Sequence, residues 1–524
     1  MAVSFKQLIV ILVIAATVFR LAKPIALQFG SEGDFARRRN VWLFLTITAF
    51  LSPSFWLYAL LAIPLLLWAG RKDSNPVAFY LLLLYVIPEI AVDIPTGSSL
   101  QIFPLDNFRL LSLCVLIPAA WRHRRSKAAN QNRKITSMDV LLLGYGLLQI
   151  LLYVPADLPN HVLMPDSPTN MLRRAFLFFI DVYVLYYVVS RSCSSRRAIV
   201  EAMAMFCLAS AIMAMQGVFE TLRHWLLYAD MLTRWGSERF TGYTMAREGI
   251  LRAQAAALDP LALGYLLAIA IGFWLYLRSQ VISRRSRVAV FVMLWAALLA
   301  TQSRGTWIGA VAVYFAFSVL GPRALSRALK AAMIVVVTIA VMSMTPFGDK
   351  LIHSLPIFGS TAANLDTLLY RERLAERSWE LIQQHPLLGD QLAFTKMEDL
   401  RQGQGIIDFV NTYAEVALSY GIIGLSLLIG FILVALIKSQ LQAKRAAQSD
   451  SDFALLGVSL TACIVGVLLM ITDNSFWSGV QRMFFVLAGL AAAYARIGRI
   501  PEIPERHPLV SAARGGSSNS RLRR

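Results

Sequence analysis

Apolar runs about twenty residues long, repeated from one end to the other, decide what this chain can become. Residues 7–21, 199–219, 261–279, 412–437 and 455–473 are examples. A run of that length crosses a hydrocarbon layer as a helix, because only a helix satisfies its own backbone there. The runs amount to about 12–15 spans, so the expected fold class is all-α, a polytopic integral membrane helical protein. Only 15% of the 524 residues are charged and 57% are hydrophobic. Soluble domains carry about 25% charged residues, which excludes a soluble enzyme and a disordered chain. The four cysteines are scattered with no CxxC pair, so no disulfide framework is expected. The apolar block 41–70 is broken by Ser52-Pro53-Ser54, which predicts a hairpin of two helices, with one long tilted helix as the alternative.

The net charge is +19. Its basic residues gather in alternate short loops, among them Arg37-Arg38-Arg39, Arg278 to Arg287 and Lys438 to Arg445. Lys and Arg in short loops mark the cytoplasmic side. That places the C-terminus inside and starts the first helix outside. Two long charged segments, about 220–260 and about 346–411, fall on the outer side. Lipid headgroups account for the charge. With no basic stripe of stacking aromatics, nucleic acid is not an expected partner. The expected layout has N-terminal transmembrane helices over 1–200 and a core with the outer loops over 201–437. Further transmembrane helices follow over 438–496, then a disordered basic tail over 497–524.

Four outer segments could carry chemistry. In the first, Arg252 precedes Asp259-Pro260, where Asp259 is placed to cap a helix and Pro260 to open it. Arg252 either grips a phosphate or anchors to lipid headgroups. The second, Thr301-Gln302-Ser303-Arg304-Gly305-Thr306-Trp307, is a tight turn between two spans. Arg304 there opposes the charge bias, which favours a functional role. Gly305 permits the tight backbone, and Trp307 is placed to anchor at the interface. The third, residues 368–382, alternates apolar and charged faces as an amphipathic helix on the membrane or over a cavity. Arg371 lies on its charged side, and His385-Pro386-Leu387-Leu388-Gly389 stops it. The fourth brings Asp408, Asn411, Tyr413 and Glu415 to the mouth of a helix. Its carboxylates either act as a base for a sugar hydroxyl or hold an arginine. Inside a span, Asp181 is expected to pair with an arginine such as Arg174. No HxxxH, HExxH, P-loop or dinucleotide glycine motif occurs, so neither a metal nor a cofactor is expected.

Together these segments resemble the bacterial O-antigen ligase/polymerase superfamily, which includes Wzy-type polymerases. Ser303-Arg304-Gly305-Thr306-Trp307-Ile308-Gly309 is similar to that family's SRG-[AT]-W-x-G signature. Arg252 with Asp259-Pro260-x-x-x-Gly264, His385-Pro386-Leu387-Leu388-Gly389, and Asn411-Thr412-Tyr413 leading to Gly421-x-x-Gly424 follow in the family's order. The resemblance implies a membrane glycosyltransferase (GT-C-like) architecture in the bacterial inner membrane, with its site on the periplasmic side. It implies transfer of a glycan from undecaprenyl diphosphate to a glycan or lipid acceptor, without metal or nucleotide sugar. Membrane lipids and polysaccharide-assembly proteins are the other partners it suggests. Arg252 and Arg304 would hold the diphosphate; Ser303, Gly305, Trp307, Arg371, Asn411 and Tyr413 would line the substrate. Ligases of the family carry His where this chain has Val410. Asp408, Glu415 or His385 is left as the candidate base, and the departure favours a polymerase of O-antigen or exopolysaccharide over a lipid A-core ligase. A polysaccharide or lipid transporter is the alternative from another class; it predicts internal repeats and charge in mid-membrane.

Overall fold

The structure is a computed structural model that describes residues 2–94, 104–125, 135–154, 158–159, 168–169, 171–236, 246–247, 249–321, 362–401, 407, 409, 411–476 and 479–497. The run 331–345, the tail from 498 and parts of both long loops lie outside the described residues.

The first half of the chain builds α1 (Ala2–Phe29), α2 (Glu32–Leu51), α3 (Phe55–Lys72), α4 (Pro76–Leu83), α5 (Asn107–Leu111), α6 (Ile117–Arg125), α7 (Ser137–Leu151), α8 (Met171–Phe178), α9 (Leu185–Ser192) and α10 (Arg196–Arg223). There follow α11 (Ala229–Arg234), α12 (Pro260–Leu277), α13 (Arg284–Ala300), α14 (Arg304–Leu320), α15 (Ala362–Gln384), α16 (Thr412–Ala446), α17 (Ser451–Met470) and α18 (Gly479–Ile497). Among the described residues seven helices are long and apolar enough to cross a membrane, and α7 and α14 are shorter apolar helices. The all-α polytopic class is therefore as the hydropathy predicts. The hairpin at Ser52-Pro53-Ser54 forms: Ser52 ends α2, and the Ser54 hydroxyl accepts the Leu57 N–H at the start of α3.

The inter-helix turns fall on two faces, and cross-links between them define each face. On one, Gln7 Nε2 donates to Leu226 O (3.1 Å) and Trp235 Nε1 to Ser52 O (3.0 Å). The start of α1 thus shares a face with the 224–228 loop, as the charge pattern predicts. On the other, Arg38 is 1% exposed and forked between Asp73 (2.6 Å) and Glu201 (2.7 Å). Part of the Arg37-Arg38-Arg39 cluster is therefore a buried structural tie rather than a lipid contact.

The core is formed by α10 and α12, buried almost all round. Helices of that kind sit inside a bundle. Small residues let α12, α14 and α17 close on one another: a Cβ at Gly272 would overlap Cys463, and one at Gly466 would overlap Val313. By contrast α1 and α3 turn large apolar residues such as Leu21 and Leu60 outward, as a lipid-facing helix does.

The pairing expected for Asp181 is different in the structure. Asp181 lies in a π-helical turn, Phe179–Val184, and bonds Arg109 (2.7 Å) and Arg482 (3.5 Å) instead of Arg174. Arg482 also reaches Glu89 (3.0 Å) and Asp106 (3.1 Å). Arg174 lies a further two helical turns along and faces tyrosines. Burial selects these through-space partners, because an unpaired charge in the bundle would cost several kcal/mol.

Residues 368–382 are helical within α15, as the periodicity predicts. Leu374, Ser378 and Leu381 are buried while Glu372, Arg373, Glu376 and Glu380 are exposed. The apolar side covers a small second core with Phe394, Met397, Leu400 and Leu418. Protein therefore meets Leu374 and Leu381, while Trp379 on the same helix is exposed.

Candidate functional site

The turn Thr301-Gln302-Ser303 joins α13 to α14, and Arg304 is the first residue of α14. Gln302 holds a left-handed backbone (φ 49°), the kind of strained conformation that clusters at functional sites. The Thr306 hydroxyl donates back to Ser303 O (3.0 Å). Trp307 does not sit as the expected interfacial anchor. It is 7% exposed, and its indole N–H donates to Leu298 O (2.8 Å). It braces the turn from within instead of anchoring at an interface.

Arg252 is carried to the same turn. Its Nε donates to Thr301 O (2.9 Å), and the next residue's N–H, that of Ala253, donates to Ala300 O (3.0 Å). Behind it, Asp259 caps α12 through the N–H groups of Leu261 (3.2 Å) and Ala262 (3.0 Å), with Pro260 in the first turn. Burial holds the Asp259 carboxyl above its usual range, against the pull of those N–H groups and of Arg252. Gly264, one turn on, has no Cβ because Thr306 packs there. Two segments that are far apart in sequence thus form one joint.

Glu220 organises this joint and was invisible in the sequence. It is 1% exposed, near the end of α10, and accepts the N–H groups of Leu227 (3.0 Å), Gln254 (3.1 Å) and Ala255 (2.7 Å). Ala255 and Leu258 have positive φ (46° and 59°). A buried carboxylate holding three backbone donors keeps that strained loop in place.

The second half of the site is the head of α16. Asn411 caps it by accepting from Tyr413 N (3.0 Å) and Ala414 N (3.2 Å). Tyr413 OH donates to Leu468 O (2.8 Å). Thr412 is fully buried, with its N–H on Ile471 O (3.0 Å) and its hydroxyl on Asn474 O (2.7 Å). Glu415, in the first turn, sits by the main chain of Phe476 and near Arg174. Arg174 bonds the hydroxyls of Tyr153 (3.3 Å) and Tyr420. Asp408 and Val410 lie outside the described residues.

The turn between α17 and α18 is the hub that sequence reasoning missed. Besides Ile471, Asn474 and Phe476, it supplies Asp473, whose Oδ1 accepts from Arg371 of α15. Asp473 Oδ2 lies where a Cβ of Gly305 would be. One side chain therefore ties α15 to the first turn of α14. Asp473 lies far along the chain from both partners, and no local spacing could have found it.

His385 is exposed at the end of α15. The segment that follows it locks onto α16: Ile422 N–H donates to Pro386 O (2.8 Å) and Asp390 N–H to Leu418 O (2.7 Å). The lock breaks α16 at Gly421, which has φ 63°.

Chemically, this face offers the guanidinium groups of Arg174, Arg252, Arg304 and Arg371, from four helices or loops, beside the carboxylates of Glu415 and Asp473. Ser303 Oγ, Asn474 Nδ2 and Glu415 Oε2 are buried without a hydrogen-bond partner among the described residues. Buried polar atoms are normally paired, so these three stand out among the polar groups of this face. Among the described residues no three His, Cys, Asp or Glu side chains group as a metal site would require.

A multi-pass membrane protein with arginines and carboxylates gathered on one face is the class that fold and site define. Residues 288–429 match the family model described as O-antigen ligase, which supports the resemblance to the O-antigen ligase/polymerase superfamily. The match runs from α13 through the first part of α16, and includes Arg304, Arg371, His385, Asn411, Tyr413 and Glu415. Arg252, Glu220, Arg174 and Asp473 lie outside it. No curated protein matches the chain.

Proposed function

We propose that the protein is a glycosyltransferase that polymerises or transfers glycan repeats carried on undecaprenyl diphosphate. The joining of Arg252 to the Ser303-Arg304-Gly305 turn supports this reading most directly. Loss of a polyprenyl diphosphate requires its developing negative charge to be met by fixed cations, and two arginines on one rigid joint suit that need. Arg371 adds a third guanidinium from α15. Ser303, Gly305, Trp307, Asn411 and Tyr413 shape the substrate's surroundings, Trp307 by holding the turn and Asn411 by capping α16. Glu415, His385 and Asp408 are the candidate proton acceptors for the acceptor hydroxyl.

The chemistry proposed uses no metal, and the site faces the periplasm from the inner membrane. The basic loops opposite it support that orientation. Polymerisation of O-antigen or exopolysaccharide is favoured over ligation to lipid A-core, because Val410 stands where ligases of the superfamily have His.

The test is a deletion in the native host, complemented by wild type and by Arg304→Ala. Lipopolysaccharide is run on a gel and secreted polysaccharide is quantified. A polymerase leaves core capped by a single repeat, or loses exopolysaccharide with lipopolysaccharide intact. Bare core, with long chains left on undecaprenyl diphosphate, indicates a ligase. Full product from an accumulated Arg304→Ala protein rejects the assignment of Arg304.

A further inference from the structure

We infer that Asp473 is a catalytic carboxylate of this site, accepting the proton of the acceptor hydroxyl, and that Arg371 controls when it can do so. The inference rests on the transferase reading above, and deepens it by naming a group outside the matched segment.

The geometry carries the argument. Asp473 is in the hub turn, with its backbone fixed by a hydrogen bond from its N–H to Met470 O (3.1 Å). Its carboxylate is split between two elements of the site. Oδ1 accepts from Arg371, and Oδ2 reaches the backbone of Gly305, the residue after Arg304. Only the missing side chain of Gly305 admits it there. The pair is open to a ligand: the side chains of Arg371 and Asp473 are 40% and 26% exposed. Next to it, Asn474 is 5% exposed and its Nδ2 has no hydrogen-bond partner among the described residues. A buried, unpaired amide donor beside an accessible carboxylate is suited to hold a hydroxyl oxygen while its proton leaves.

Paired with Arg371, the carboxylate is occupied. A diphosphate arriving by Arg304 offers Arg371 a more highly charged partner, and bidentate guanidinium–phosphate pairing favours the exchange. Asp473 is then free to act as base. In the step itself the acceptor O–H proton passes to Asp473, and the acceptor oxygen bonds to the anomeric carbon. The bond from that carbon to the diphosphate oxygen breaks, and its electron pair leaves with undecaprenyl diphosphate. The new charge rests against the arginines, and Asp473 later returns its proton to water.

The experiment uses the full-length protein in the deleted host, with the host's own glycan as substrate. The variants are Asp473→Asn, the exchange Arg371→Asp/Asp473→Arg, and Arg304→Ala. Membrane accumulation is followed by immunoblot. The expected result is product from Asp473→Asn at least about 100-fold below wild type, the range general-base catalysis supplies, and no rescue by the exchange. Product from Asp473→Asn, or its restoration by the exchange, reduces Asp473 to a structural partner of Arg371 and overturns the proposal. If only Arg304→Ala loses product, the transferase reading stands while Asp473 fails. If Arg304→Ala keeps product, that reading fails first and takes this one with it. Should Asp473→Asn not accumulate, Asp473→Ser is read in its place, and product from an accumulated Ser variant overturns the proposal equally.

Discussion

Gly389 and Gly421 interlock, each at positive φ, Gly389 against the backbone of Leu418 to Gly421 and Gly421 against that of Leu387 and Leu388. Gly389 has φ 69°, and a Cβ there would overlap Leu418 O. Gly421 has φ 63°, and a Cβ there would overlap Leu387 O. The contact fastens the end of α15 into the break of α16. It gives the His385-Pro386-Leu387-Leu388-Gly389 and Gly421-x-x-Gly424 motifs one shared structural purpose.

Alanine at either glycine meets both the left-handed cost, about 1–2 kcal/mol, and a clash with backbone that cannot yield. We expect Gly389→Ala and Gly421→Ala each to destabilise by roughly 3 kcal/mol or more. The check is thermal unfolding of purified protein in detergent. Gly33 serves as the control, since a Cβ there meets nothing within 4 Å. Gly33→Ala should leave the melting temperature unchanged or slightly raised.

Glu220 carries the loop of Arg252, so its loss should act at a distance. In Glu220→Ala the N–H groups of Leu227, Gln254 and Ala255 lose their acceptor. Each buried unpaired donor costs about 1–3 kcal/mol. Hydrogen exchange over residues 252–258 should speed up markedly and glycan product should fall, while exchange in α16 stays as in wild type. Unchanged protection over 252–258 would show that the loop is held by other contacts.

These cases separate what the sequence could reveal from what it could not. Asp259 with Pro260, the Ser52-Pro53-Ser54 break and the amphipathic face of α15 are local patterns, set by capping, turn chemistry and helical period, and each could be read directly. The order of the four motifs carried the resemblance to the superfamily, and the match over residues 288–429 supports it. Their assembly could not be read. Asp473, Glu220 and Arg174 act through space, across loops that no spacing rule connects. The same limit explains Asp181. An arginine two turns away on one helix looked adequate, but packing brought Arg109 and Arg482 closer. Trp307 was misplaced because composition cannot tell an interfacial indole from one whose N–H is satisfied inside a turn.

Arg482 holds three carboxylates with help from Arg109. Arg482→Leu leaves Glu89, Asp106 and Asp181 with one cation, and breaking such a buried network costs about 3–5 kcal/mol. The variant should accumulate poorly. Adding Glu89→Gln, which returns the cluster to its original net charge, should recover part of the lost protein on an immunoblot. No recovery would show that Arg482 acts by packing, as its position 4.4 Å from the centre of the Phe108 ring would permit.

Asp390 gives the interlock a dependence on acid. Burial pushes its carboxyl upward, but the hydrogen bond from Lys396 (2.6 Å) and the N–H of Leu392 outweigh it, and the charge of His385 adds to them. The folded value therefore lies below the ordinary 3.8. A depressed carboxyl contributes its stability above the unfolded value and loses it as pH falls through the folded one. Limited proteolysis at the 385–392 segment should therefore rise below about pH 4. Asp390→Asn should show the raised cutting already at neutral pH, with little further change on acidification. The effect should be small, because Lys396 is largely exposed.

Gly305 distinguishes a structural from a chemical role for the α14 turn. In helix propensity alone Gly305→Ala should stabilise by roughly 1 kcal/mol, since alanine is the better helix former. Its methyl, however, would take the place of Asp473 Oδ2. The carboxylate must then move, and Arg371 with it, while Trp307 and Thr306 keep their bonds within the turn. The expected outcome is a protein that accumulates and melts much as wild type does but makes little glycan. A Gly305→Ala variant with full product would mean that the carboxylate can leave Gly305 without cost, and that its place there has no part in the reaction.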